Sequence, residues 1–221
     1  MRHSTSTELV VIEDQDELRQ AALAGDSAAL AELFDREKPR LKRMIRLRLD
    51  GRLSRRVDPE DVLQDAYLDV LRRFDEYRRQ YADSMPLRLW FRLILGQRLV
   101  DLHRQHLGAQ ARDASLEVSL HRGNWPQASS ASLAAQLLGK LTSASRAAIR
   151  AEQRLIVQES LNQMNPLDRE VLVLRHFEHL TNDEVAVILG LKKTAASQRY
   201  VRALQRLGTI LASIPGLNDP P

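Results

Sequence analysis

The chain has 221 residues, no cysteine, 5% aromatic residues and a formal net charge of +4. That length suits two modest domains better than one large core, and the absence of cysteine excludes both a disulfide framework and a thiolate metal site. The amino-terminal residues carry acids where a signal peptide needs an apolar core, and no apolar run approaches membrane-spanning length, so a cytoplasmic protein is expected.

Leu, Ala and Val at helical spacing point to an all-α fold of two helical domains. A first helix is predicted from about Asp14 to Ala24, ended by Gly25, and Asp26 then caps a second. The second places Ala29, Leu30, Leu33 and Phe34 on neighbouring turns, and Pro39 is expected to bend or interrupt it before Leu41, Ile45, Leu47 and Leu49. Charge is unevenly spread here. Between Arg40 and Arg56 stand eight basic residues, Arg48 among them, against the single acid Asp50. Asp58, Glu60, Asp61, Asp65 and Asp69 follow with no base between them. A basic block suggests a polyanion as partner, and an acidic run beside it suggests a second, basic partner.

Asp58-Pro59-Glu60-Asp61 is a strong helix start: an acceptor side chain, then proline at the first helical position, then acids in the first turn. Val62, Ala66, Val70 and Phe74 mark its buried face, leaving Asp61, Gln64, Asp65 and Asp69 on more solvated sides. The stretch from Asp75 to Pro86 lacks periodicity and is predicted as a loop. A helix from about Leu87 to Leu107 follows, with Leu89, Leu93, Leu99 and Leu102 as its apolar stripe and Arg88, Arg92, Arg98 and Arg104 around it. Trp90, beside Phe91, Leu93 and Ile94, is read as core. His103 and His106 lack a third ligand in register, so no metal site and no cofactor are expected.

Residues 109–143, rich in Ala, Ser, Gly and Gln and broken by Gly123-Asn124-Trp125-Pro126, read as an interdomain linker that can hold a helix around Leu133 to Leu141. They separate an amino-terminal domain at 14–108 from a carboxy-terminal one at 144–211, opened by a helix from about Arg146 to Met164. There Asn165-Pro166 starts another helix, Thr181 to Glu184 forms a capping box, and Gly190 turns the chain into a last helix from about Lys193 to Leu211. Two helices joined by a tight glycine turn are the signature of a helix-turn-helix. Ala196, Tyr200, Ala203 and Leu207 form its inward stripe. Lys193, Thr194, Ser197 and Gln198 project elsewhere near the amino end, and Lys192, Arg199, Arg202 and Arg206 have the reach for phosphates.

The segment from Leu161 to Leu207 resembles region four of extracytoplasmic-function sigma factors. Asp58 to Phe74 (DPEDVLQDAYLDVLRRF) resembles their region two, and WFRLILGQRLVDLHRQ between them is similar to the promoter-melting helix. The resemblance spans about Asp14 to Leu211. It implies a transcription initiation factor rather than an enzyme, with core RNA polymerase and promoter DNA as partners, an anti-sigma protein as a further one, no small-molecule substrate, and a monomeric state. Asp61, Gln64 and Asp65 are implied to dock on core polymerase. Tyr77, Arg78, Ser84, Arg88, Arg92, Arg98 and Arg104 are implied for the minus-ten strand. Arg175, Thr181, Lys192, Lys193, Thr194, Ser197, Gln198, Arg199 and Arg202 are implied for the minus-thirty-five element. Two departures stand out: a longer linker, and Lys192-Lys193-Thr194 where the family usually opens its recognition helix with a serine cap, so that the start frays or Thr194 caps it a turn later. Two other readings are a helix-turn-helix regulator that never engages core polymerase and a nucleic-acid enzyme, for which no nucleophile, phosphate loop or metal cluster is present.

Overall fold

A computed structural model describes residues 4–49, 53, 56–107, 128–141 and 147–213. The expectations for Trp125 and for the His106 side chain lie outside the described residues. Every regular element described is helical. The amino-terminal half comprises α1 (Ser4–Ala24), α2 (Ser27–Arg48), α3 (Pro59–Gln80) and α4 (Leu87–Leu107). The other half comprises α5 (Ser130–Leu141), α6 (Ala147–Asn162), α7 (Pro166–Leu172) with a π-helical turn at Val173–Phe177, α8 (Asn182–Leu189) and α9 (Lys193–Ala212). No described helix is long and apolar enough to cross a membrane.

Caps fix where the helices begin. The Asp26 carboxylate accepts from the backbone N–H groups of Ala28 and Ala29 at 2.8 and 3.2 Å, Asp58 from Glu60 at 2.9 Å, and Asn165 from Leu167 at 2.9 Å. Each bond satisfies a donor that the first helical turn leaves without an intrahelical partner. Gly25 ends α1 at a φ of +107°. An interruption at Pro39 does not occur, and a predicted loop is narrower than expected. Pro39 lies inside an unbroken α2. The hydrogen bond it cannot donate falls on an exposed side, while Leu33 and Phe34 before it and Leu41, Met44 and Ile45 after it are all buried against one core. The predicted loop from Asp75 is shorter too, because α3 continues to Gln80. Tyr77 anchors that last turn: its ring is buried between Phe74 and Trp90, and its hydroxyl donates to the Met85 carbonyl at 2.8 Å.

The first core gathers Leu30, Phe34, Val62, Ala66, Val70, Phe74, Trp90, Phe91, Ile94 and Leu99 from α2, α3 and α4. Trp90 is wholly buried within it. A second core joins Leu133, Leu137 and Leu138 of α5 to Val157, Leu161, Leu172, Phe177, Ala203 and Leu207. Within the stretch read as a linker, then, α5 packs into this second core together with α6. Leu47, at the end of α2, belongs to the second core as well, and its carbonyl accepts from the backbone N–H of Ser129 at 2.9 Å. The halves therefore share a packed boundary.

Candidate nucleic-acid interface

The helix-turn-helix is built by local chemistry. The Thr181 hydroxyl and the Glu184 carboxylate form the reciprocal capping box, with the Thr181 backbone N–H and hydroxyl each donating to Glu184 Oε2 at 2.8 Å. Gly190 then adopts a left-handed φ of +62°, which reverses the chain within two residues of α9. The helix α9 begins at Lys193, so neither fraying nor a later cap at Thr194 is seen. Its N-cap, Lys192, offers no side-chain cap; the start is held from α8 instead, where Asn182 Nδ2 donates to the Lys193 carbonyl at 2.9 Å and Asp183 pairs with Lys193 Nζ at 2.7 Å.

Ala196, Ala203 and Leu207 point into the cores, while Lys192, Lys193, Thr194, Ser197, Gln198 and Arg202 are exposed along the amino end of α9. A helix presenting hydroxyl, amide and ammonium groups at its amino end has the chemistry to read base edges, and the arginines behind it suit phosphates. Two of the predicted phosphate contacts are partly engaged within the fold. Arg199 pairs with Asp168 at 2.6 Å, and Arg175 donates to the Leu180 carbonyl at 2.8 Å while its guanidinium stacks 5.1 Å over the Tyr200 ring.

On α3, Asp61 and Gln64 are exposed and Asp65 is half-buried, paired with Arg98 of α4. Beyond them Leu68 and Leu71 lie open to solvent on the same helix, so an acidic entry gives way to an apolar strip, a face suited to a partner with basic and apolar groups. The loop after α3 exposes Asp83 and Ser84, and the Ser84 N–H donates to the Tyr81 carbonyl at 3.0 Å.

The residues implied for the minus-ten strand fall into three groups. Arg78, Ser84 and Arg104 are exposed, and Arg98 is partly so. Tyr77 has no surface to offer in this conformation; burial also pushes its phenol pKa up. Arg88 and Arg92 face the other half of the chain. Arg88 Nε stands 2.6 Å from Glu184 Oε1, and Arg92 Nε donates to Glu178 Oε2 at 2.8 Å with only 4% of the residue exposed.

Arg92 belongs to a buried cluster of four charges. Arg48, at the end of α2, donates through Nη2 to Glu170 Oε1 at 2.5 Å and to Glu178 Oε1 at 2.6 Å, and through Nε to Glu178 Oε1 at 3.1 Å. Burial by itself would raise the Glu178 carboxyl, but Arg48 and Arg92 outweigh it and hold the pKa at about 2. Burial lowers the Arg92 guanidinium, and Arg48 nearby adds to that. For Arg48, burial opposes the charge, yet Glu170 and Glu178 keep it firmly protonated. Arg43 extends the contact by donating to the Phe177 carbonyl at 3.1 Å.

Sequence reasoning assigned Arg48 to a basic block for a polyanion and overlooked Glu170 and Glu178. A signal was present: Leu41, Met44 and Arg48 share one helical face at i, i+3 and i+7, so Arg48 continues a buried stripe. Among the described residues no group of His, Asp and Glu could hold a metal ion.

Comparison with known proteins agrees with this geometry. Residues 154–207 match the family described as sigma-70, region 4. The chain is 26% identical over 193 residues to the ECF RNA polymerase sigma factor SigD of Mycobacterium bovis, covering 84% of this chain and 78% of that protein. SigD of Mycobacterium tuberculosis matches to the same extent. The solved structure of CnrH, in complex with the cytosolic domain of CnrY, superposes with a TM-score of 0.52 at 21% identity, covering 90% of this chain and 97% of that one, and so shares its fold.

Proposed function

We propose that this chain is an RNA polymerase sigma factor of the extracytoplasmic-function group, which directs promoter-specific initiation as two contact modules carried on one chain. The observation that carries this reading is the pairing, in a single polypeptide, of a solvent-facing Ser197 and Gln198 on a capped helix-turn-helix with a solvent-facing Asp61 and Gln64 on α3. The first pair suits duplex reading and the second a basic protein surface.

In this reading α3 docks on core polymerase through Asp61, Gln64 and Asp65. The loop at Ser84, the exposed Arg78 and Arg104 and the partly exposed Arg98 hold the minus-ten strand, where stacking and phosphate contacts favour an opened single strand. Tyr77 shapes that loop from beneath through its bond to Met85. The amino end of α9 reads the minus-thirty-five element, with Thr181, Arg175, Arg199 and Arg202 around it. The domains at 14–108 and 144–211 divide these tasks. The protein works in the cytoplasm, where polymerase and promoter are, and is not itself a catalyst.

Run-off transcription by core polymerase, with and without the purified chain, on a library of genomic promoters tests this. Discrete transcripts that depend on the chain are expected. Binding to duplex without any such transcripts, and without co-purification of core polymerase, would favour a helix-turn-helix regulator instead.

A further inference from the structure

Beside the apolar contacts of Leu47 and Ile188, the boundary between the halves holds a buried cluster of charge where a permanent contact is usually apolar throughout. Arg48 and Arg92 come from α2 and α4; Glu170 and Glu178 come from α7 and the end of the π-helical turn, and all four are less than 9% exposed. Ions withdrawn from water in this way gain little net free energy from each other, because the attraction mainly offsets their lost hydration. A seam of this kind fixes register while giving up little when it parts, since each ion regains water. Arg43 on the Phe177 carbonyl and Arg88 on Glu184 flank the cluster, and they too are polar and reversible.

The seam also occupies Arg88 and Arg92, two cations of α4 that the resemblance implies for the minus-ten strand and that an opened chain would add to Arg78, Arg98 and Arg104. In the closed arrangement Arg92 is sealed against Glu178 and is withheld from any nucleic acid, while Arg88 is paired with Glu184 though its side chain stays 39% exposed. We propose that this seam is an autoinhibitory latch: alone, the chain rests closed with Arg48 and Arg92 clasped by Glu170 and Glu178, and engagement of polymerase and promoter requires the clasp to part. The inference rests on the sigma-factor reading above. With Glu178 held at about 2, the clasp keeps its charges throughout neutral pH. It is therefore opened by a competing charged surface rather than by a proton.

An interstice of about 20 Å³ remains beside the cluster, and Arg40 of α2 and Leu180 of the other half both line it. As the sequence has no cysteine, Arg40→Cys with Leu180→Cys provides the only thiols, which a short bismaleimide containing a disulfide can bridge. Run-off transcription is measured with the bridged chain before and after cleavage by reductant. Bridging should lower product at least tenfold and reductant should restore it. Equal product from bridged and cleaved chains overturns the latch, as does failure of the two thiols to bridge in the folded chain. Small-angle scattering gives a readout independent of transcription: the unaltered and bridged chains should share one radius of gyration, and a distinctly larger value for the unaltered chain overturns a closed resting state. If the unaltered chain yields no transcript at all, the sigma-factor reading fails, while scattering and bridging still decide whether the seam is closed in solution.

Discussion

Replacing Glu178 by alanine removes the carboxylate that both buried guanidinium groups share. Its Oε1 takes Nη2 and Nε of Arg48 at 2.6 and 3.1 Å, and its Oε2 takes Nε of Arg92 at 2.8 Å. Truncating one partner of a buried ion pair costs about 3–5 kcal/mol, because the surviving charge stays desolvated. The carboxyl's own titration leads to a similar figure. A group held at about 2 rather than its ordinary 4.5 contributes about 3 kcal/mol at neutral pH, at about 1.4 kcal/mol per pH unit. Arg48 keeps Glu170 at 2.5 Å, so the lower end of the range is expected. Equilibrium urea unfolding followed by far-ultraviolet ellipticity at pH 7 should show a loss of about 3 kcal/mol. Because the folded-state value lies below the unfolded one, the contribution is complete above the ordinary carboxylate range and is lost as pH falls towards about 2. The gap between the two proteins should therefore be flat around neutrality and close in acid. A loss below about 1 kcal/mol at pH 7, or a gap that persists unchanged near pH 2, would refute the assignment of Glu178 as the shared counter-ion.

Other expectations concern the surfaces. Asp61→Lys, on an exposed α3 position, should reduce co-purification with core polymerase at least tenfold while moving unfolding free energy by less than about 1 kcal/mol; undiminished co-purification counts against α3 as the docking face. Gln198→Ala should alter base preference at the minus-thirty-five element by about 1–3 kcal/mol per affected pair in a competition binding assay, with core binding unchanged. Arg202→Ala should weaken binding to all duplexes alike and reduce the slope of log affinity against log salt by about one, and a sequence-selective loss would contradict a phosphate role. Thr181→Ala removes the capping box and should cost about 1 kcal/mol, read as a lower thermal midpoint.

Much of this fold can be read from caps and periodicity because those signals are local. Asp58-Pro59 and Thr181-to-Glu184 each fix a helix start through atoms within three residues, and both starts occur where the sequence indicates. Elements decided by distant partners are less legible. Pro39 reads as a bend or an interruption, yet α2 continues through it because residues on both sides are buried in one core. The end of α3 reads as loop, yet Tyr77 pins it to Met85 and Trp90. The same division runs through the site. Ser197 and Gln198 project outward as helical periodicity requires, whereas the fate of Arg88 and Arg92 depends on Glu184 and Glu178, more than eighty residues away. α4 is apolar on nearly every side around Arg92, so any placement of that guanidinium in the folded chain must find it a carboxylate.

The pairing of Asp65 with Arg98 links the two surfaces proposed for polymerase and for the minus-ten strand through one carboxylate. A cation on an incoming protein that claims the Asp65 carboxylate displaces Arg98, and a half-exposed pair of this sort holds by only about 1 kcal/mol or less. The displaced guanidinium then adds a full positive charge to the edge of α4. Loading onto the enzyme would thus prime the strand-gripping edge, giving the two encounters a preferred order in time.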